Sequence, residues 1–373
     1  MPKSVSTNKL PATTRFSNEL LDSMRQVTDK PADEIINRMF SNDALRLELR
    51  TYLDKLKTNQ QLTELAVPAG MESLISAASK LPEWADSASL NLGSAFFARY
   101  AQPITQLLGL LSLPFCYAAA DGARVLYLSE RIKNDPAKRL LDTAVFIWDV
   151  MAPDAFLPTG KGFSSILKIR LIHAAARYYT LKSGQWNDAW GKPINQEDMA
   201  GTNLALSFIT VRGLRKMGIS IEYSSQQHFI HLWNVIGSLS GINDSLLPGE
   251  GRNVTRLEET IRKRHFKSSE HGIALTLSLI NYFSSVDFGS KKIKTSFIPL
   301  MRYLLGNETA DMLKIPAAIF SPADLFALKT LNFVKAFKNS PAFEYDLQKK
   351  NFDQFSKMIV SAQALPTPAQ PIN

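Results

Sequence analysis

The stretch Leu167–Leu181, LKIRLIHAAARYYTL, decides the reading of this chain. It holds neither Gly nor Pro over fifteen residues and reads as a buried helix. One histidine, His173, sits among Leu171, Ile172 and three alanines, Ala174–Ala176. Arg170 and Arg177 lie three residues before it and four after it, which puts the three side chains on one helical face. A single imidazole on an apolar helix with small neighbours suits an axial ligand to a flat macrocycle such as haem. The two arginines would then pair with its propionates. The same pattern also suits a core histidine hydrogen-bonded to a backbone carbonyl. The stretch alone leaves both readings open.

Working outward, Ser164 or Ser165 can cap this helix, which is expected to end near Gly184. Upstream, Asn134-Asp135-Pro136 is a helix start, a capping residue followed by proline in the first turn. The helix it opens carries Arg139 and Thr143 four residues apart, on one face, and stops before Pro153. Downstream, Asn195 caps a helix with Glu197 and Asp198 in its first turn, running to about Met217 before Gly218. Further helices are expected from Ser224 or Ser225 to Gly241, and over 257–266, 272–283, 297–305 and 323–337. Pro103–Ala120 reads as a buried helix pair.

Phe16–Leu65 has helical spacing, with Pro31 in a first turn, and Val67–Pro82 is expected to be a link. Residues 1–15 and the last dozen carry no such pattern. Ile219–Tyr223 is the one short strand candidate. The fold class is therefore all-α: a multi-helix single domain over 80–340, an N-terminal helical extension over 1–79, and a C-terminal helix and tail over 341–373.

With 373 residues, 45% hydrophobic and 21% charged, the chain can bury a full core without disulfides. Cys116 is the only cysteine, which excludes a disulfide framework, a cysteine-based zinc site and covalent attachment of haem through C-x-x-C-H. The first 21 residues are polar and contain no apolar h-region, so a cytoplasmic location is expected. The net charge of +9 leaves room for a peripheral membrane contact. The basic residues are spread along the chain, however, with dense spots at 262–267 and 291–294, and around the first no aromatic stacking pattern develops beyond Phe266, so no nucleic-acid partner is expected.

Other candidate chemistry has ordinary explanations beside it. Arg139 and Thr143 could face a ligand together, or snorkel and pack. His228 and His231 have metal-ligand spacing but no evident third ligand. His265 and His271 read as structural. Asn195–Asp198 could be an acid cluster, although capping accounts for it. Pro248–Gly251 is too short for a phosphate loop, and no nucleophile elbow or dinucleotide fingerprint is present.

Five segments together resemble a known family: 112–126 (SLPFCYAAADGARVL), 139–153 (RLLDTAVFIWDVMAP), 160–179 (GKGFSSILKIRLIHAAARYY), 190–208 (WGKPINQEDMAGTNLALSF) and 231–242 (HLWNVIGSLSGI). They are similar to the haem-b oxygenases that include the latex-clearing protein (rubber oxygenase) and the MpaB oxygenase. The resemblance covers about 80–330 and implies a globin-like helical core.

It implies that His173 is the proximal iron ligand, that Arg139 and Thr143 line the haem pocket, and that Arg170 and Arg177 have propionate or structural roles. Two departures stand out. A distal lysine of the rubber oxygenase is replaced by Asp142, and its catalytic glutamate has no counterpart, which leaves Asp121 as the nearest acid for a catalytic role. The implied activity is insertion of dioxygen into an apolar, isoprenoid-like or unsaturated substrate, with cleavage of a carbon–carbon double bond. A soluble lipophilic molecule fits better than solid polymer if the chain is not exported. Two other functions are a haem-binding sensor or carrier without turnover, and a cofactor-free helical protein that binds anionic partners. Oligomeric state is left open.

Overall fold

A computed structural model describes residues 16–129, 135–249, 251–285, 291–328, 330 and 344–363, with the side chains of 291–296, 355 and 357–363 set aside. Expectations for residues 1–15, for Asn134, Glu250 and 331–337, for the basic side chains at 291–294 and for the tail after 363 lie outside them.

The architecture is all helical. The elements are α1 (Asn18–Met24), α2 (Lys30–Met39), α3 (Asp43–Lys55), α4 (Gln61–Glu64), α5 (Glu72–Ala78), α6 (Ser87–Leu107), α7 (Leu113–Ala118), α8 (Ala120–Leu128) and α9 (Pro136–Val150). They continue with α10 (Gly162–Lys182), α11 (Gln196–Leu206), α12 (Phe208–Lys216), α13 (Tyr223–Leu239), α14 (Gly251–His265), α15 (Glu270–Ser285), α16 (Lys291–Leu305), α17 (Asn307–Met312) and α18 (Glu344–Gln363). The only extended pairing among the described residues is one isolated bridge between Ala119 and Phe266. The strand expected at 219–223 is absent, and Tyr223 instead opens α13.

α6 and α13 form the central pair. They approach closely because Gly93 has no side chain: a Cβ there would lie 2.7 Å from the His228 carbonyl oxygen and 2.9 Å from Leu232 Cβ. Phe96 and Phe229 fill the seam, with ring centroids 4.7 Å apart. α6 kinks at Tyr100, three residues before Pro103, whose ring and missing N–H break the ladder. A π turn at Leu108–Ser112 then leads into α7, so the expected helix pair is one broken rod.

The link expected at 67–82 contains α5, with Leu74 and Ile75 buried. Ala32, Ile36 and Met39 of α2 belong to the same apolar core as Phe97, Leu171 and Trp233. At the other end, Tyr345 of α18 meets Trp148 of α9 edge-on at 5.3 Å and Phe352 stacks on it at 5.4 Å. One core thus runs across both boundaries drawn from the sequence. Helices this short and amphipathic hold their shape only by burying their apolar faces against the rest.

Candidate functional site

α9 and α10 pack side by side and carry the residues singled out from the sequence. Asp135 caps α9 by accepting from Lys138 N at 2.9 Å, as its spacing predicts. α10 starts at Gly162, and neither Ser164 nor Ser165 caps it. Its first turn is capped from a distance instead: Asn59 Oδ1 accepts from Ser164 N at 3.2 Å, while Asn59 Nδ2 donates to the carbonyls of Ala155 (2.7 Å) and Leu157 (2.6 Å). α10 is also not buried all round, since Ile172 and Tyr179 are exposed.

His173 is half-buried and has no hydrogen-bond partner among the described residues; its Nδ1 is wholly buried and unsatisfied. A core histidine bonded to a backbone carbonyl is therefore not what the fold contains. Burial, then the charges of Arg177 and Arg139, push its pKa down to about 4. The imidazole is neutral at pH 7, with a lone pair to offer. Arg139 Nε is likewise buried and unsatisfied, and its guanidinium has no ion-pair partner among the described residues. The Arg139 charge also acts on Cys116 and Tyr117, whose pKa values burial nevertheless pushes up to about 11 and about 12. Tyr117 is 3% exposed, and its hydroxyl has no partner among the described residues. His173 Nδ1 and Arg139 Nε thus form a small cluster of wholly buried nitrogens without protein partners, near enough for the Arg139 charge to act on the imidazole. Buried polar groups are paired in the great majority of cases, so such a cluster points to a missing ligand.

Thr143 and Asp121, both expected in the site, and Asp142, at the distal-lysine position, have other partners. Thr143 lies on the Arg139 face, but its hydroxyl donates to the Arg139 carbonyl at 2.9 Å, so its hydrogen is already committed. Asp142 points outward and pairs with Lys138 at 3.1 Å. Asp121, 9% exposed at the start of α8, pairs with Lys267 at 2.9 Å and with Arg25 at 3.9 Å. It belongs to a different cluster. There Arg25 reaches Asp198 (3.2 Å), the Trp190 carbonyl (3.0 Å) and the edge of His265, while Glu197 accepts from Arg264 (2.8 Å) and His265 (2.9 Å). Burial pushes the Asp198 carboxyl up. Burial alone would raise Glu197 too, but hydrogen bonds from His265 and Arg264 hold it below its usual value. A carboxylate engaged this way serves as a structural counter-ion, so Asp121 is not poised as a catalytic base.

The two arginines assigned to propionates have other partners. Arg170 forms a fork with Asp29, Nε to Oδ2 at 2.7 Å and Nη2 to Oδ1 at 2.8 Å, with both side chains buried. Arg177 donates from Nε to Asp33 at 2.6 Å and from Nη1 to the Ile194 carbonyl at 3.2 Å. Asp29 occupies the N-cap position of α2, but its carboxylate goes to Arg170 and makes no cap bond. No local signal distinguishes such an aspartate from a capping one. His228 and His231 hold the start of α6 in place, through Ser89 Oγ (3.2 Å) and Asp86 N (3.0 Å). Among the described residues no group of three His, Cys, Asp or Glu side chains is arranged to hold a metal ion, so the region around His173 offers one nitrogen donor rather than a cage of protein ligands. No helix there is long and apolar enough to cross a membrane.

Comparison with known proteins agrees with this architecture. A solved structure of latex clearing protein LCP in the closed state superposes with a TM-score of 0.72, covering 94% of this chain and 93% of that one at 22% identity. The rubber oxygenase of Streptomyces sp. (strain K30) is 25% identical over 294 residues, 77% of this chain and 70% of that protein. Residues 100–336, which hold Arg139, Thr143 and His173, match the family model for the catalytic domain of ER-bound oxygenase mpaB/B' and rubber oxygenase. The chain belongs to that oxygenase family.

Proposed function

We propose that this chain is a haem-b dependent oxygenase that uses dioxygen on a lipophilic, unsaturated substrate, with oxidative cleavage of a carbon–carbon double bond as its reaction. The observation that carries this reading is the unpartnered, neutral imidazole of His173 beside the unpartnered guanidinium of Arg139. The residues fit haem b. His173 would supply a nitrogen ligand to the iron, Ala174–Ala176 present little bulk, and Arg139 is the one of three nearby arginines with no carboxylate partner among the described residues, so it would take a propionate. When bound, haem supplies an iron centre able to activate dioxygen.

The chain's own groups do the rest. Arg139 orients an anionic group in a low-dielectric setting, where a preorganised cation acts strongly. Tyr117 keeps its proton, since its pKa is near 12, and so can donate a hydrogen bond but not serve as a base. A shallow surface groove lined by Pro136, Ala274, Leu277 and Tyr282 among others lies beside the first turn of α9.

A second reading, a haem-binding sensor or carrier, is favoured by the commitment of Asp121 and Asp142 to ion pairs elsewhere. Oxygen uptake with candidate alkenes separates the two. The test of the common premise is a haemin titration. The unaltered chain is expected to develop a Soret band at one equivalent, and His173→Ala to lose it. A chain that takes up no haemin, or a His173→Ala variant with an unchanged spectrum, refutes the proposal.

A further inference from the structure

Residues 25–33 lie outside the matched catalytic region, yet they reach α10 on both sides of His173. Arg170 stands three residues before the histidine and Arg177 four after it, and each is gripped by one carboxylate of the same short segment. Asp29 holds Arg170 through two bonds of 2.7 and 2.8 Å, at 4% exposure. Asp33 holds Arg177 at 2.6 Å, and Asp33 is itself fixed by Thr28 Oγ1 at 2.7 Å.

The grip extends to the next helix. Gln196 of α11 donates from its backbone to the Val27 carbonyl at 2.9 Å and from its side chain to the Gly241 carbonyl at 2.9 Å. Gly241 (φ +87°) lies so close that a Cβ would stand 2.7 Å from Asp29 Oδ2. Arg177 also holds the carbonyl of Ile194, a β-branched residue at φ +50°, a conformation that persists only when the surroundings impose it. Arg177 Nη2 is buried with no partner, so Asp33 is the counter-charge of a cation that has little other compensation.

We infer that Asp29 and Asp33 are positioning residues for His173: the N-terminal segment clamps the helix that presents the imidazole and neutralises the two arginines flanking it. This inference rests on the haem reading for its functional meaning, but its mechanical half does not depend on haem. Such a clamp explains why arginines on the ligand face can be buried without drawing an anion of their own. It also makes the N-terminal segment part of the site rather than an appendage.

Asp33 is the safer residue to change, being the more exposed of the two, and Asp33→Asn removes charge at constant shape. Two proteins are compared with the unaltered chain: Asp33→Asn and the conservative Asp33→Glu. Without haemin, amide exchange over 162–182 is expected to quicken several-fold in Asp33→Asn alone. With haemin, Asp33→Asn is expected to release it several-fold faster and to show a raised midpoint potential, since a nearby negative charge that favours the ferric form is gone. Asp33→Glu should restore both. Unaltered exchange over 162–182 in Asp33→Asn, or an unaltered release rate and potential, overturns the clamp. Failure of the unaltered chain to take up haemin overturns the haem reading instead, and the exchange measurement then still decides the clamp.

Discussion

Replacing Asp29 with Asn is the sharpest test of how the fold is held. The carboxylate accepts two charge-assisted bonds from Arg170 in a setting where the two side chains are 3% and 9% exposed. Asn keeps the volume but offers one acceptor, and turns an N–H toward a guanidinium that has only donors. Arg170 is left with one weakened bond and the Leu239 carbonyl at 3.4 Å. Removing one partner of a buried pair costs about 3–5 kcal/mol, because the other charge stays buried and uncompensated. Unfolding entropy of about 2.1 cal/mol/K per residue, over 373 residues, gives about 0.8 kcal/mol/K, so the midpoint should fall by about 4–6 °C. Thermal unfolding followed by circular dichroism at pH 7 measures this. The paired replacement Asp29→Leu with Arg170→Met should recover much of the loss, since it removes both charges. A fall under about 1 °C for Asp29→Asn, or a double variant as unstable as the single one, would refute the argument.

Asn59→Ala removes the cap of Ser164 N and two bonds to the 155–157 loop, and should cost about 2–4 kcal/mol by denaturant titration. Glu197→Gln leaves Arg264 and Arg25 short of charge at a fully buried position, and should cost about 3–5 kcal/mol at pH 7. Because the folded pKa of Glu197 is lowered, its contribution is fully present above the unfolded value near 4.5 and is lost as pH falls through the folded one. The gap between variant and unaltered chain should therefore close in acid melts. Cys116, half-buried with its thiol pushed up to about 11, should resist a thiol reagent at pH 8 in the folded chain and react readily in urea; fast labelling of folded protein would contradict the raised pKa.

The helices were legible because their signals are local. Pro136 after Asp135, Asn195 before two acids and Gly218 after Met217 all act within one turn of the backbone, and each marks a helix end in the structure. The face shared by Arg139 and Thr143, and that shared by Arg170, His173 and Arg177, follow from the same 3.6-residue period. Where a cap came from afar, as Asn59 does for α10, the nearby serines looked sufficient and were not used. The link expected at 67–82 contains α5, whose seven residues are too few to show a helical period.

The residues taken along the chain already establish the all-helical class, the lone histidine of the helix over 167–181, and the exclusion of a disulfide framework within the chain. These follow from composition and short-range periodicity, and no partner elsewhere in the chain can alter them. The tertiary structure alone decided which charges are free. Arg170 and Arg177 face the same way as His173, yet Asp29 and Asp33, more than 140 positions away, neutralise them, and Asp121 is claimed by Lys267 and Arg25. Arg139 carries the same charge on the neighbouring helix and meets no carboxylate among the described residues. A side chain's availability for chemistry depends on what the fold brings against it, and ion pairing across so many residues leaves no mark in either local sequence.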